Sequence, residues 1–140
     1  MNDFENEIKK DLSRIACSDF KSDMTINEIM KGWHSAKGVE LCRNAKYPSA
    51  EMMRKYQDEF AKNNAFVDHP DIELKNENCV LCNSVGTLKF QFPEKLYDVI
   101  LYDDNVVTIE ASNYAVVNVH NFGNSVVIIE KDDNSIVNVD

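Results

Sequence analysis

At 140 residues the chain suits one domain, or a compact unit of two parts, and is long enough to bury a sizeable core. Its 44% hydrophobic and 28% charged content excludes the disordered and membrane-embedded classes. No apolar run approaches the roughly 20 residues that span a bilayer, and the start lacks a signal-peptide pattern, so we expect a cytoplasmic protein.

The negative charge is concentrated in the second half of the chain. Residues 1–63 hold 11 acidic residues and 11 Lys or Arg, whereas residues 64–140 hold 13 acidic residues and 4 lysines, which accounts for the whole net charge of -9. Such a surface repels nucleic acid and anionic membranes and attracts basic protein surfaces. The alternative is that the acidic residues only keep a repetitive β structure soluble and protect its edges.

Residues 1–64 are predicted to form a helical part. Apolar side chains at spacings of three and four indicate a first helix with one buried face: Phe4, Ile8, Leu12 and Ile15. The capping-box pattern Thr25-Ile26-Asn27-Glu28 predicts a short second helix through Ile29, Met30 and Trp33.

A third helix is predicted after the stop and restart at Tyr47-Pro48-Ser49, because Pro disfavours helical backbone before it and Ser49 can cap a helix that begins at Ala50. This helix is expected to run to Asn63-Asn64 with one apolar stripe: Met52, Met53, Tyr56, Phe60 and Ala61. A less regular helical segment is expected around Leu41.

After Asn64 the apolar period changes from 3.6 to 2, which predicts an all-β part over residues 65–140. His69-Pro70-Asp71 reads as a turn. The alternating apolar residues that come after it are Ile72, Leu74, Val80, Leu88, Phe90 and Phe92.

Residues 103–140 repeat one aliphatic pattern at a step of ten residues. The copies are Val106-Val107-Thr108-Ile109, Val116-Val117-Asn118-Val119, Val126-Val127-Ile128-Ile129 and Ile136-Val137-Asn138-Val139. The second and fourth residues of every copy are β-branched and aliphatic, which places them on one face of each strand. Turn-forming residues that tolerate left-handed backbone separate the copies.

Two architectures satisfy this pattern, an antiparallel meander and a β-solenoid. Identical residues at identical positions favour a solenoid, because each coil then stacks like residues on its neighbours, and ten residues suit one side of a two-sided or three-sided coil. The predicted fold class is therefore α+β, a helical part over residues 1–64 followed by an all-β part with a short β-solenoid, in one compact unit.

The cysteines carry little chemical signal. Cys79-Val80-Leu81-Cys82 is a C-x-x-C pattern, but it reads as a strand, in which the two thiols point to opposite faces and serve as small core residues. Cys17 and Cys42 are expected to be reduced thiols. We expect no metal site, since no second C-x-x-C or C-x-x-H pattern exists.

No catalytic or cofactor-binding motif is recognisable. The histidines are scattered, and His120 takes the place that acidic residues hold in other repeats, which predicts an exposed polar side chain; the three are His34, His69 and His120. Glycine-rich phosphate-binding motifs are absent, and single acid pairs such as Asp132-Asp133 are ordinarily solvated. We therefore expect no enzymatic activity and no cofactor.

Three motifs and the β-repeat tail resemble a group of uncharacterised small proteins encoded in bacterial genomes, prophages and mobile elements. The motifs are Gly38-Val39-Glu40-Leu41-Cys42, Tyr47-Pro48-Ser49 and Asn83-Ser84-Val85-Gly86-Thr87, within residues 30–140. The resemblance implies a helical head, a β-repeat tail and an association with mobile DNA, and it carries over no catalytic residue. The tail is also loosely similar to bactofilin-type solenoids, although it is shorter and lacks their glycine pattern.

These observations favour a non-enzymatic inhibitor or regulator of the anti-CRISPR or another anti-defence kind. Its acidic surface would engage a basic bacterial protein, such as a nuclease or its ribonucleoprotein complex, whose nucleic-acid channel collects Lys and Arg. No direct binding to nucleic acid or membrane is expected. The candidate partner-binding residues are Asp103, Asp104, Glu110, Glu130, Asp132 and Asp133.

Three alternatives stay open. An enzyme or metal protein would require the cysteines to converge on one site. An immunity protein that neutralises a toxin nuclease would use the same physical principle. A self-assembling structural component of a virion, appendage or scaffold would instead form a homo-oligomer by strand pairing at an uncapped end, at residues 136–139.

Overall fold

The computed structural model describes residues 3–15, 25, 28–29, 48–93 and 95–140. Several residues discussed above lie outside these ranges, namely Cys17, Ile26, Asn27, Met30, Trp33, His34, the motif at residues 38–42 and Tyr47.

In the described part of the chain, the helices with defined bounds before the sheets are α1 (Asp3–Ile15), α2 (Ala50–Lys55) and α3 (Gln57–Ala61), and residues 28–29 are also helical. The predicted apolar face of α1 is buried at Phe4, Ile8 and Leu12. The Ser49 hydroxyl caps α2 by accepting the Met52 N–H at 3.1 Å, as predicted.

The predicted capping box also forms. The Glu28 N–H donates to Thr25 Oγ1 at 3.2 Å, and the Thr25 N–H donates to Glu28 Oε2 at the same distance. Ile29, which follows the box, is buried. The two reciprocal hydrogen bonds thus satisfy backbone donors at the start of this helical segment.

The predicted single helix after Ser49 is broken at Tyr56, whose backbone leaves the helical region at φ -125° and ψ 46°. Helix α1 holds both residues at the break. Lys55 forms an ion pair with Glu7, and the Tyr56 ring packs 5.3 Å from the ring of Phe4. Tertiary contacts therefore override the local helical period at this point.

Nine strands follow among the described residues, and every strand pairing found there is parallel. They are β1 (Ala65–Val67), β2 (Ile72–Lys75), β3 (Cys79–Cys82), β4 (Val85–Phe90), β5 (Leu96–Tyr102), β6 (Val106–Ala111), β7 (Val116–Asn121), β8 (Val126–Lys131) and β9 (Ile136–Val139). Sheet A has the order β1-β3-β5-β7-β9, and sheet B has the order β2-β4-β6-β8. Consecutive strands therefore alternate between two sheets, which is a two-sided parallel β-solenoid. The predicted solenoid is confirmed, and the antiparallel meander is wrong.

The ten-residue repeat corresponds to half a turn of this solenoid. Residues two repeats apart lie in register on adjacent strands of one sheet, as Val107 lies beside Val127 and Val117 beside Val137. The first coil is shorter than two repeats, because Ile72 already pairs with Gly86. The solenoid is therefore narrower at the end where the chain enters it.

The main core lies between the two sheets. The second and fourth residues of the repeats point into it, and Val107, Ile109, Val117 and Val119 are at most 1% exposed. The first and third residues point outward. Phe92 does not continue the strand alternation as predicted, since it lies beyond β4 in a corner and is exposed.

A second core joins the helices to the outer face of sheet A. Met53 and Phe60 from the helices pack in one cluster with Val80, Ile100 and Tyr102 from the sheet. The helices thus cover the side of the solenoid formed by β1, β3 and β5. Within the described ranges, no helix has the length and apolar character that crossing a bilayer requires.

Candidate functional site

The six acidic residues predicted to bind a partner lie on two opposite edges of the solenoid. Asp103 and Asp104 occupy a corner that joins sheet A to sheet B, which we name the A-to-B edge. The other four lie at the ends of sheet B strands or in the corner after them, on what we name the B-to-A edge: Glu110, Glu130, Asp132 and Asp133. A six-residue strand is roughly 20 Å long, so the two edges are too far apart to form one site.

The B-to-A edge contains a cleft of about 300 Å³. Three of the predicted residues, Glu110, Glu130 and Asp132, line it together with Lys89 and Lys131. The parallel register brings these side chains together, because the cleft runs across the ends of β4, β6 and β8. Sequence spacing alone did not show that the residues lie in successive coils of the same sheet.

Glu110 and Glu130 form the notable charge pair of this cleft. They are register partners on the outer face of adjacent strands, so their Cα atoms are about 4.8 Å apart. Lys89 lies on the other side of Glu110, with its Nζ 3.8 Å from the Glu110 carboxylate. Among the described residues, no cation forms an ion pair with Glu130. Like charges directly opposite one another cost about 0.2–1 kcal/mol, so this arrangement opposes folding.

Asp132 has a structural role in its corner. Its carboxylate accepts hydrogen bonds from the backbone N–H groups of Asn113 at 3.1 Å and Asn134 at 3.2 Å. The adjacent Ser135 side chain, and then these backbone N–H groups, lower the pKa of Asp132. Asp133 is exposed beside it. Of this pair, only Asp133 therefore has a carboxylate free of corner hydrogen bonds.

The A-to-B edge uses its acidic residues to build turns. Asp68, Asn83 and Asp103 have left-handed backbone, with φ of 55°, 49° and 56°, a conformation that Asp and Asn tolerate. The Arg54 guanidinium donates two hydrogen bonds to Asp68, at 2.7 and 3.2 Å. The Cys82 thiol donates to Asp103 at 3.4 Å. Asp104, in the same corner, is exposed.

The C-x-x-C pattern is a pair of core thiols, as predicted. Cys79 points between the sheets and Cys82 points toward the helices, and both are buried. Burial raises the pKa of both thiols to about 12, and Asp103 adds to the effect at Cys82. Over the described residues, no group of three or more His, Cys, Asp or Glu side chains is arranged to hold a metal ion.

His120 is not the exposed polar residue that its place in the repeat predicted. Its side chain is only 14% exposed and lies between two carboxylates, with Nε2 3.0 Å from Asp98 and Nδ1 3.2 Å from Asp140. These three residues come from successive coils on the side of sheet A. Stacking in the solenoid brings them together, which a comparison of neighbouring repeats could not show because the partners lie two repeats away.

A further surface lies at the end of the solenoid formed by β8 and β9. Every residue of β8 is at least partly exposed, and Val126, Ile128 and Ile129 are 55%, 45% and 42% exposed. In β9, Ile136 and Val139 are also exposed. The sequence indicated this surface only at residues 136–139. The run Val126-Val127-Ile128-Ile129, aliphatic on both faces of a strand, was the available signal for β8.

The geometry thus offers an acidic cleft, a turn-building acidic edge and an apolar solenoid end. None of the three contains a recognised catalytic arrangement of the described side chains, and each is a surface rather than an enclosed cavity. No known family model matches the chain, and comparisons with curated proteins and with solved structures find no significant match.

Proposed function

We propose that this protein binds another protein without chemistry of its own, and that it takes a basic segment of the partner into the cleft of the B-to-A edge. The observation that supports this proposal is the stack of Glu110 on Glu130, an outward-facing like-charge pair that costs folding stability. A Lys or Arg from a partner would relieve that repulsion. The free energy of binding would then include the repulsion between Glu110 and Glu130 that the partner's cation removes.

The wider charge distribution supports the same kind of partner. Thirteen acidic residues and four lysines lie in residues 64–140, so the solenoid carries the excess charge and the helical part is balanced. A field of one sign steers an oppositely charged protein and raises its association rate, and this effect weakens as salt screens it. The partner is therefore expected to present a basic surface.

A basic groove that normally holds nucleic-acid phosphates is one such surface. An inhibitor of a bacterial nucleic-acid-binding protein, of the anti-CRISPR kind, would act by occupying such a groove. An immunity protein that neutralises a toxin nuclease would act in the same way. Both belong to this proposal, and the resemblance to proteins of mobile elements favours the first.

The test uses two charge variants that remove the same number of negative charges from different edges. Glu110→Gln/Glu130→Gln alters the cleft, and Asp103→Asn/Asp104→Asn alters the A-to-B edge, where Asn accepts the left-handed backbone of Asp103. Each variant and the wild type would be used for affinity capture from a bacterial lysate, with mass spectrometry of the captured proteins. The affinity of the purified partner would then be measured at about 50 and about 300 mM NaCl, below and above physiological screening.

We expect one basic partner whose affinity falls with salt. Loss of two desolvated charge contacts should weaken binding by the cleft variant at least tenfold, which is about 1.4 kcal/mol. The A-to-B edge variant should keep its affinity within about threefold, because its charges act only through long-range steering. Equal binding by both variants, or an affinity that salt does not change, would contradict the proposal.

A further inference from the structure

The two ends of the solenoid differ in how the outer edges of their sheet A strands are covered. At the first coil, α2 and α3 pack on β1, and the Gln57 side chain donates to the Val67 carbonyl at 3.5 Å. At the last coil, β8 and β9 pair on one side with β6 and β7 and have no strand on the other side within the described residues. Within the described part of the chain, the last coil therefore presents the outer edges of two strands, one from each sheet, with unpaired backbone groups.

The hydrogen-bond pattern identifies the free backbone groups. In β8, the Val126 N–H donates to Asn105 O at 2.8 Å, toward the preceding coil. Successive residues of a strand direct their backbone groups to opposite sides, so those of Val127 and Ile129 point away from the solenoid. In β9, the Ile136 N–H likewise points to the preceding coil, bonding Ala115 O at 2.9 Å, which leaves Val137 outward.

We propose that a second copy of this chain binds this end through a two-fold axis, so that β8 pairs antiparallel with β8 of the second copy and β9 with β9. Centring the axis on Ile128 places Val127 opposite Ile129 of the second copy. Val127 and Ile129 both direct their free groups to the interface, as an antiparallel hydrogen-bonded pair requires. Val127 packs against the main core. Ile129 lies on the same face of β8 by strand alternation, so the two side chains would continue that core across the two copies. This dimer goes beyond the binding of a basic partner and is independent of it.

The charges of the end permit this arrangement. In the proposed register, Glu130 lies opposite Val126 of the second copy, and Asp132 lies opposite Asn124, so no carboxylate of β8 faces another. The corner that contains Asp132 and Asp133 comes to lie over residues 122–125 of the second copy, which contain no charged side chain. The antiparallel pairing thus separates the acidic corners of the two copies.

The size of the end sets the strength of the contact. Strands about 20 Å long in sheets about 10 Å apart, with their side chains, give an end face of roughly 400 Å² per copy. The two copies together would bury about 800 Å², which is below the roughly 1,200–2,000 Å² of a typical stable complex. The β8 pairing adds about four strand hydrogen bonds to it, and the β9 pairing adds further ones. We therefore expect a dimer that dissociates on dilution.

Head-to-tail stacking fits the two ends less well. The last coils contain two full repeats each, as from Val106 to Val126, whereas the first coil closes sooner, from Ile72 to Gly86. Strand β1 is short and would face the longer coil of the next copy, with α2 and α3 beside it. The mismatch favours a closed dimer over an open filament.

The sharpest test is disulfide formation at the two-fold axis. In the proposed register, position 128 faces itself as a non-hydrogen-bonded pair with Cα atoms about 4.5 Å apart, a distance that a disulfide can bridge. The variant Ile128→Cys should form a covalent dimer under mild oxidation, with peptide mapping that links position 128 of two copies. Thr108→Cys, one coil away on the same outer face, is the matched control, and it should form no more dimer than the wild type with its own cysteines.

The second measurement is the molecular mass of the pure protein by light scattering over about 1 µM to about 1 mM, the range in which a small interface associates. The wild type should approach twice the monomer mass. Ile129→Lys places a charge in the interface at a side chain already 42% exposed, so it should fold and remain monomeric, whereas Val106→Lys, outward and one coil away, should still dimerise.

Three results would overturn the dimer: a wild type that stays monomeric over the whole concentration range, a mass that rises beyond two copies, or an Ile128→Cys variant that crosslinks no better than Thr108→Cys. Each measurement uses the pure protein without a basic partner. Failure of the dimer therefore leaves the proposed function untouched, and loss of partner binding by the cleft variant leaves the dimer untouched.

Discussion

Asn105 shows how single polar side chains hold the corners of the solenoid. It is 1% exposed, and its Oδ1 accepts the Ser84 N–H at 2.8 Å from the coil below. Its Nδ2 donates to the Tyr102 carbonyl at 2.8 Å and to the Ser125 hydroxyl of the coil above at 2.9 Å. One amide thus joins three successive corners, and it satisfies backbone groups that the sheets leave unpaired.

We expect Asn105→Ala to lower the free energy of unfolding by about 2–4 kcal/mol, because the buried Ser84 N–H would lose its acceptor and the hydrogen bonds from Asn105 to the Tyr102 carbonyl and the Ser125 hydroxyl would be lost. Urea unfolding followed by circular dichroism measures the loss. Asn124→Ala, in an exposed position of the next corner, is the control and should change stability by less than about 0.5 kcal/mol. Equal effects of the two substitutions would show that the buried amide has no special role.

Asp68 gives the fold a pH dependence with a definite sign. The hydrogen bonds from Arg54 and then Asn83 hold the pKa of its carboxyl below the ordinary value of 3.8. The stabilisation is therefore present above the pKa of the unfolded chain and is lost as the pH falls through the lower folded value. Asp68→Asn should destabilise the protein at pH 6, and the difference from the wild type should shrink toward pH 3.

The control for Asp68→Asn is a substitution of its ion-pair partner, Arg54. Arg54→Gln should reproduce the loss at pH 6, and the double variant should lose less than the sum of the two single losses, since both remove one interaction. Denaturant midpoints between pH 3 and pH 6 provide the measurement. A difference that does not change with pH would contradict the role of the Asp68 carboxylate.

At the scale of the elements, the strands differ in what the sequence could reveal. The ten-residue repeats predicted β6 to β9 and the inward direction of Val107 and Val117, because alternation and β-branching act locally. The break at Tyr56 could not be predicted, because contacts with α1 cause it. The separation of the acidic residues onto two edges could not be predicted either. A ten-residue step is compatible with half a turn of a two-sided coil and with a third of a turn of a three-sided coil.

The contact between β2 and β4 depends on a residue without a side chain. Gly86 lies in register with Ile72, where the short first coil closes. A Cβ atom on Gly86 would lie 2.6 Å from the Ile72 Cβ and still closer to the Ile72 carbonyl oxygen. The narrow first coil therefore requires glycine at this position.

We expect Gly86→Ala to destabilise the fold by about 1–3 kcal/mol, because the backbone of β2 or β4 must shift. A loss of stability would be informative, because replacing glycine by alanine in the interior of a strand usually stabilises a protein. Urea unfolding measures the effect, and Thr87→Ala, the next residue on the outer face, is the control. Stabilisation by Gly86→Ala would mean that the first coil is wider than the structure shows.

The whole molecule combines a neutral helical part with a strongly acidic solenoid, and both cores meet at sheet A. Charge of one sign on a compact body destabilises it through self-repulsion. The stacked carboxylates of Glu110 and Glu130 are the local form of this effect. The same surface charges therefore lower the stability of the fold while they favour solubility.

Added NaCl should raise the free energy of unfolding in urea, by on the order of 1 kcal/mol between low and moderate salt, because screening weakens this repulsion. Glu130→Lys should be more stable than the wild type by about 0.2–1 kcal/mol, since it converts a like-charge pair into an opposite-charge pair. Its stability should also depend less on salt. A wild type that salt destabilises would contradict this picture of the surface.

The half-turn repeat has a consequence for how such a chain can change length. Inserting one ten-residue repeat would exchange the two sheets for every strand after the insertion, so side chains of one edge would appear on the other. Inserting two repeats would preserve each strand's sheet and lengthen the solenoid by about 4.8 Å. This architecture can therefore grow by duplication of paired repeats. The cleft and the apolar end would keep their composition and would lie farther from the helices.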